Sequence, residues 1–137
     1  MLKTEMMIKA ELIHGGKRLS ALPKYFKSHM MEVESSIYHL MSRFCQEYQG
    51  GYWNFYCLNN GGFYMACDDN ESFKITIPSN YFDQNVSADA TGIIVCLYAY
   101  NLLCCKHESD LLIDHYYKLL DYARVHPEAS YIFRAID

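Results

Sequence analysis

Six histidines, His14, His29, His39, His107, His115 and His126, could ligate a metal or move protons, yet none lies four residues from another. No helix therefore offers a ready imidazole pair, and the spacing asks for neither a metal nor another cofactor. Cys104 and Cys105 beside His107 form the close thiol–imidazole set in the sequence. A reactive thiolate needs an accessible, electropositive site, and helix-end cysteines with a solvated histidine are the plainer account. Carboxylates group at Glu32 and Glu34, at Asp68, Asp69 and Glu71, and at Asp110 and Asp114, with Asp137 at the end. None of these groups lies in an apolar stretch that would raise one pKa for acid–base work. Phosphate-cradling glycine loops, GxSxG, HExxH and calcium-loop patterns do not occur. These residues describe a protein that is not an enzyme.

Tyrosine is the other concentrated resource, with 13 residues against a single Trp. The segment from Tyr48 to Ala66 alternates so that Tyr52, Asn54 and Tyr56 share one strand face and Trp53 and Phe55 the other. Exposed tyrosines on a rigid strand suit a protein–protein surface, because they give large contact area at small entropic cost. Stacking of single-stranded bases would need a basic groove that these strands lack. Packing into the core is the third account of the same residues.

The elements that must position them follow from periodicity. From about His29 the apolar positions Met30, Val33, Ile37, Leu40, Met41, Phe44 and Tyr48 recur at helical spacing, and Gly50-Gly51 ends the run. Asn59-Asn60-Gly61-Gly62 between two aromatic-rich runs predicts a hairpin over 52–67. Taking Asn60-Gly61 as the turn sets Phe63 opposite Leu58, Tyr64 opposite Cys57, Met65 opposite Tyr56 and Ala66 opposite Phe55. Phe73-Lys74-Ile75-Thr76-Ile77 alternates strictly and predicts a third strand at 73–77, ended by Pro78, with 79–86 as loop. Ser87 is suited to cap a helix over about 88–106 that is apolar nearly all round, with Asp89 in its first turn. Ser109 caps the next, over about 110–125, with Asp114 and Lys118 spaced for an ion pair. Pro127 starts a short last helix. Strands grouped together and flanked by helices give an α+β fold, a small three-stranded antiparallel meander packed by about four helices in one compact domain. The expected division is an N-terminal arm over 1–19, flexible or forming a lone strand, and a domain over 20–137.

Composition narrows the function classes. With 51% hydrophobic and 20% charged residues the 137-residue chain is globular. Its formal net charge of −4 argues against strong nonspecific binding of nucleic acid. The apolar stretch from Gly92 to Cys105 is shorter than the roughly 20 residues of a membrane span. The first residues lack the apolar core of a signal peptide. A cytoplasmic protein with six reduced cysteines is expected.

Several stretches taken in order resemble the ArdB/KlcA-type antirestriction proteins of plasmids and other mobile elements. They are Leu22-Pro23-Lys24-Tyr25-Phe26, the run from Glu47 through Gly50-Gly51-Tyr52-Trp53-Asn54-Phe55-Tyr56, and Leu58-Asn59-Asn60-Gly61-Gly62-Phe63-Tyr64-Met65-Ala66. Ser87-Ala88-Asp89-Ala90-Thr91-Gly92-Ile93, Leu112-Ile113-Asp114-His115-Tyr116, His126-Pro127-Glu128-Ala129 and Phe133-Arg134-Ala135-Ile136-Asp137 continue the match. The resemblance implies a non-enzymatic α+β protein that relieves type I restriction of incoming DNA, and it carries over no catalytic residues. Sixteen acids against twelve bases, scattered along the chain, do not copy the charge ladder of duplex DNA. Contact through a mixed aromatic and polar patch is the expected mode, with Arg18, Tyr52, Trp53, Tyr56, Asp89 and Asp137 as partner-binding candidates. Trp53 equally suits a core anchor, and Asp89 the first turn of a helix. The expected partner is the type I restriction–modification complex or a DNA-translocating factor. The alternative is a nucleic-acid-binding or transcription-related accessory protein of a mobile element, using its basic N-terminal arm.

Overall fold

The computed structural model describes residues 7–137; the first part of the expected arm, with Lys3 and Glu5, lies outside the described residues. Within them the chain forms five strands and five α-helices, the α+β architecture expected. Strand β1 (Ala10–Leu12) is followed by helix α1 (Lys17–Phe26), a 3-10 turn (Lys27–His29) and helix α2 (Met30–Phe44). Strands β2 (Trp53–Leu58), β3 (Phe63–Cys67), β4 (Ser72–Ile77) and β5 (Phe82–Ser87) come next. Helices α3 (Ala88–His107), α4 (Asp110–Arg124) and α5 (Ala129–Ile136) complete the chain. Pro127 lies in the turn before α5 and not at its first position.

The strands are divided differently from the expected meander. One sheet has the order β1-β2-β3, and β4 pairs instead with β5 in a separate two-stranded sheet. Strand β1 comes from the stretch read as an arm, and antiparallel pairing sets its Glu11 opposite Cys57. Strand β5 occupies the stretch read as loop; its polar centre, Asp83-Gln84-Asn85, hid two buried anchors, Phe82 and Val86. Asp83 is held by Thr76 at 3.0 Å and by Lys74 at 3.4 Å across the pair.

The β2–β3 register is also shifted by one residue from the expected one. Tyr56 faces Tyr64, Phe55 faces Met65 and Trp53 faces Cys67. Gly61 N–H donates to Leu58 O at 2.9 Å, Leu58 N–H donates to Gly62 O at 2.9 Å, and Gly61 sits at φ +92°. That is a three-residue loop, a tight turn followed by a glycine in the left-handed region, where the sequence reading took a two-residue turn.

Helix α3 explains why β4 does not join β3. Its residues Gly92, Cys96 and Tyr100 fall four apart and so form one stripe along the helix. Tyr100 O–H donates to Phe63 O at 2.5 Å, and the Cys96 thiol bridges Met65 N–H at 3.5 Å and Met65 O at 3.6 Å. At Gly92 a Cβ would meet Met65 O at 2.4 Å and the Ala66 side chain at 2.5 Å. The outward backbone groups of β3 are thus taken up by a helix, which closes the sheet edge. Burial also pushes the Cys96 thiol up to about 12, so it serves as a neutral hydrogen-bonding group. Helix α3 is long and apolar enough to cross a membrane by composition, but 61% of its most apolar window is enclosed by the rest of the fold.

Below the sheet, Phe26 of α1 meets Phe63 edge-on at 5.4 Å, with both rings fully buried. Burying each such ring contributes about 1.5–3 kcal/mol. His115 of α4 completes this aromatic wall at 4.7 Å from Phe26 and donates from Nε2 to Tyr25 O at 2.8 Å.

Candidate functional site

On the side of β2 away from the Phe63 wall, the tyrosines form a column. Tyr56 stacks on Tyr64 at 4.8 Å with a 15° interplanar angle, and Tyr64 stacks on Tyr122 of α4 at 5.8 Å. Within β2 the expected separation of faces holds, with Trp53 and Phe55 buried and Tyr56 half-buried; Tyr52, just before the strand, is 54% exposed. The one-residue shift in register is what sets Tyr56 directly opposite Tyr64.

The column ends on a carboxylate. Tyr64 O–H donates to Asp89 Oδ1 at 2.6 Å, and His126 Nε2 lies 2.8 Å from Asp89 Oδ2. Glu128 N–H donates to His126 Nδ1 at 3.0 Å, so the ring's proton sits on Nε2 and is given to Asp89. Asp89 lies in the first turn of α3, where the helix dipole favours its charge. Next to it Ser87 caps the helix, accepting from Ala90 N–H at 3.0 Å. Glu128 binds the capping residue in turn, accepting from Ser87 N–H at 3.1 Å and from its hydroxyl. Burial, then the Asp89 charge, pushes the phenols of Tyr56, Tyr64 and Tyr122 above their ordinary range. These phenols are protonated donors and stacking surfaces, with no activated base among them.

A second group stands at the start of β2. The Arg18 guanidinium lies over the Tyr52 ring at 4.6 Å and the Phe55 ring at 4.2 Å, and its Nη1 donates to Trp53 O at 2.8 Å. The Trp53 indole N–H donates to the Tyr48 hydroxyl at 3.1 Å, and Tyr38 packs edge-on at 5.4 Å. Trp53 is therefore the anchor beneath Arg18 and Tyr52, and its indole is not presented to solvent. Gly51 positions Tyr52: its φ is +150° and a Cβ there would strike the Asp69 carboxylate, which accepts from Tyr52 N–H at 3.2 Å.

The six candidates fall into three places. Arg18, Tyr52 and Trp53 are joined at the start of β2, Tyr56 and Asp89 meet through Tyr64, and Asp137 stands exposed at the end of α5. The sequence reading missed Phe55 as a second ring under Arg18, and missed Tyr64, Tyr122 and His126 around Asp89. His126 stands 37 positions from Asp89, too far for any spacing rule to pair them. The Cys104 thiol contacts Asn101 O at 3.2 Å and is pushed up by burial, then by Cys105. His107 Nε2 meanwhile binds Glu32 at 2.7 Å, so nothing here activates Cys104 as a nucleophile.

Known proteins share this arrangement of elements. A family model described as antirestriction protein matches residues 46–137, which carry both the tyrosine column and the Asp89–His126 pair. The chain belongs to the antirestriction protein family. It is 41% identical to the antirestriction protein KlcA of Escherichia coli over 137 residues, covering 95% of this chain and 94% of that protein. It is 37% identical to the putative antirestriction protein YubI of E. coli strain K12 over 127 residues, covering 88% of this chain and 89% of that protein. A solved structure from work on the KlcA and ArdB proteins superposes with a TM-score of 0.88 at 41% identity, covering 95% of both chains. Those proteins are described as having a novel fold and antirestriction activity against type I DNA restriction systems in vivo but not in vitro.

Proposed function

We propose that this antirestriction protein relieves type I restriction of incoming DNA through protein–protein contact, without chemistry of its own and without imitating DNA. The observation that carries this reading is Tyr52, more than half exposed yet held just before β2, with Arg18 over its ring and the Asp69 carboxylate on its backbone N–H. Tyrosine and arginine fixed in advance lose little entropy on docking, which is the composition that interfaces favour. Charge mimicry is disfavoured by how the carboxylates are used. Asp83, Asp89, Glu32, Asp114 and Asp121 each pair with a basic or imidazole side chain of the chain itself, which breaks up any phosphate-like row. The partner is the restriction–modification complex or a factor that acts on DNA with it. A second cellular component accords with the related proteins' activity in vivo but not in vitro.

The test is plating of unmodified phage on cells with an active type I system. Cells carrying the protein should accept the phage far more readily than control cells, and the combined Arg18→Ala, Tyr52→Ala variant should lose most of that relief at unchanged protein level. Equal plating with and without the protein would refute the function. Full relief by the variant would refute the surface.

A further inference from the structure

The junction between α2 and α3, remote in sequence from the aromatic column, gathers donors that no local pattern announces. His29 is the residue before α2, Glu32 lies in its first turn, and His107 is the last residue of α3. The two imidazole rings stand 5.0 Å apart, and His107 Nε2 is 2.7 Å from Glu32 Oε1. One ligand atom from each of the three residues lies within 4.8 Å of the others. Donors around one zinc stand roughly 3–3.5 Å apart, given bonds of about 2.0–2.2 Å, so small side-chain rotations close the set. These side chains are free to make them, being half-buried or exposed. The His29 ring makes no hydrogen bond to another described residue, so ligation would cost it no existing partner.

We propose that His29, Glu32 and His107 bind one divalent transition-metal ion of the zinc class. Two imidazoles and a carboxylate from two helices suit that class rather than calcium or magnesium, which prefer all-oxygen sites. Lys106 shapes the site from outside by holding the other Glu32 oxygen, Oε2, at 2.8 Å. Its hydrogen bond, chiefly, keeps the Glu32 carboxyl below its usual range and ionised. The Lys106 ammonium also repels an incoming dication, and being mostly exposed it can swing into solvent. Three protein ligands leave a position for water or for a donor from a partner. Bound metal would fasten the start of α2 to the end of α3.

Titration calorimetry of the reduced, full chain with Zn²⁺ tests this. One ion per chain should bind, Mg²⁺ should not compete, and the melting temperature should rise with Zn²⁺. His29→Gln and His107→Gln should each weaken binding by about tenfold or more, on the scale of lost metal-site interactions. Both variants should melt like the parent chain in EDTA. Lys106→Gln should tighten binding, an effect that a purely structural ion pair with Glu32 does not predict. Because exposed thiols also take zinc, a Cys104→Ser, Cys105→Ser variant is the control and should bind as the parent does. Absent binding, binding indifferent to both histidine variants, or binding abolished in the serine variant would each overturn the site.

Discussion

His115 is 3% exposed, its Nε2 donates to Tyr25 O, and its Nδ1 is buried without a partner. Burial, first, draws its pKa below the ordinary value of about 6.5. Only the neutral ring fits, so the unfolded chain takes up a proton that the folded chain refuses. The stability is complete above the unfolded pKa and declines as pH falls below it. Thermal melts between about pH 7 and 5 should show the parent chain losing more stability than His115→Gln; equal losses would remove His115 from the acid response. Asp89 is the other residue whose surroundings define its substitution. In Asp89→Ala both carboxylate oxygens are lost, and Tyr64 O–H and His126 Nε2–H are left without their acceptor. The loss should be about 1–3 kcal/mol in urea unfolding, the cost of an unsatisfied buried polar group. An unmoved midpoint would mean the network contributes nothing to stability.

At the scale of elements, the hairpin shows what local pattern can and cannot decide. Asn-Gly chemistry and alternation located β2 and β3 within a residue or two, because turn residues and strand period are local properties. Their register depended on whether the loop held two or three residues, and the φ of +92° at Gly61 decided for three. The fate of β4 was less legible still. The sequence shows a strand and no neighbour, while the stripe Gly92-Cys96-Tyr100 that fills the β3 edge stands out only once α3 lies against it. Gly92 should therefore resist the usual benefit of alanine in a helix. Gly92→Ala gains up to about 1 kcal/mol in propensity, but it drives a methyl into Met65 O and Ala66. The overpacking cost of about 1–3 kcal/mol should dominate. A lower denaturant midpoint than the parent's checks this; a higher one would show that α3 can move away from β3.

For the whole molecule, charge distribution separates the two functional readings. Two of the basic residues near the N-terminus lie over aromatic rings, Arg18 over Tyr52 and Phe55 and the exposed Lys24 over Tyr25 at 5.2 Å. The formal net charge of −4 also argues against strong binding of phosphates. Gel shifts with duplex DNA at low salt should show no salt-steep complex. A complex that weakens sharply with salt would favour the nucleic-acid-binding alternative instead.

The amphipathic α2 and α4, the all-apolar α3, helix caps at Ser87 and Ser109, the hairpin and the α+β class were determined by the sequence itself. Each rests on periodicity or on backbone groups satisfied within a few residues. The same holds for the split of Trp53 and Phe55 from Tyr56, which follows from the two-residue repeat of a strand. Helix α1, which begins in the stretch read as an arm and holds Pro23 inside it, was not determined in this way. Only the tertiary structure decided that Arg18 lies over Tyr52, that His126 faces Asp89, and that His29 meets His107. Those pairs are made by chain segments far apart in sequence, and their contact depends on how helices dock. The docking is set by close-packed volume, at Gly92 above all, where a missing side chain lets helix and strand touch.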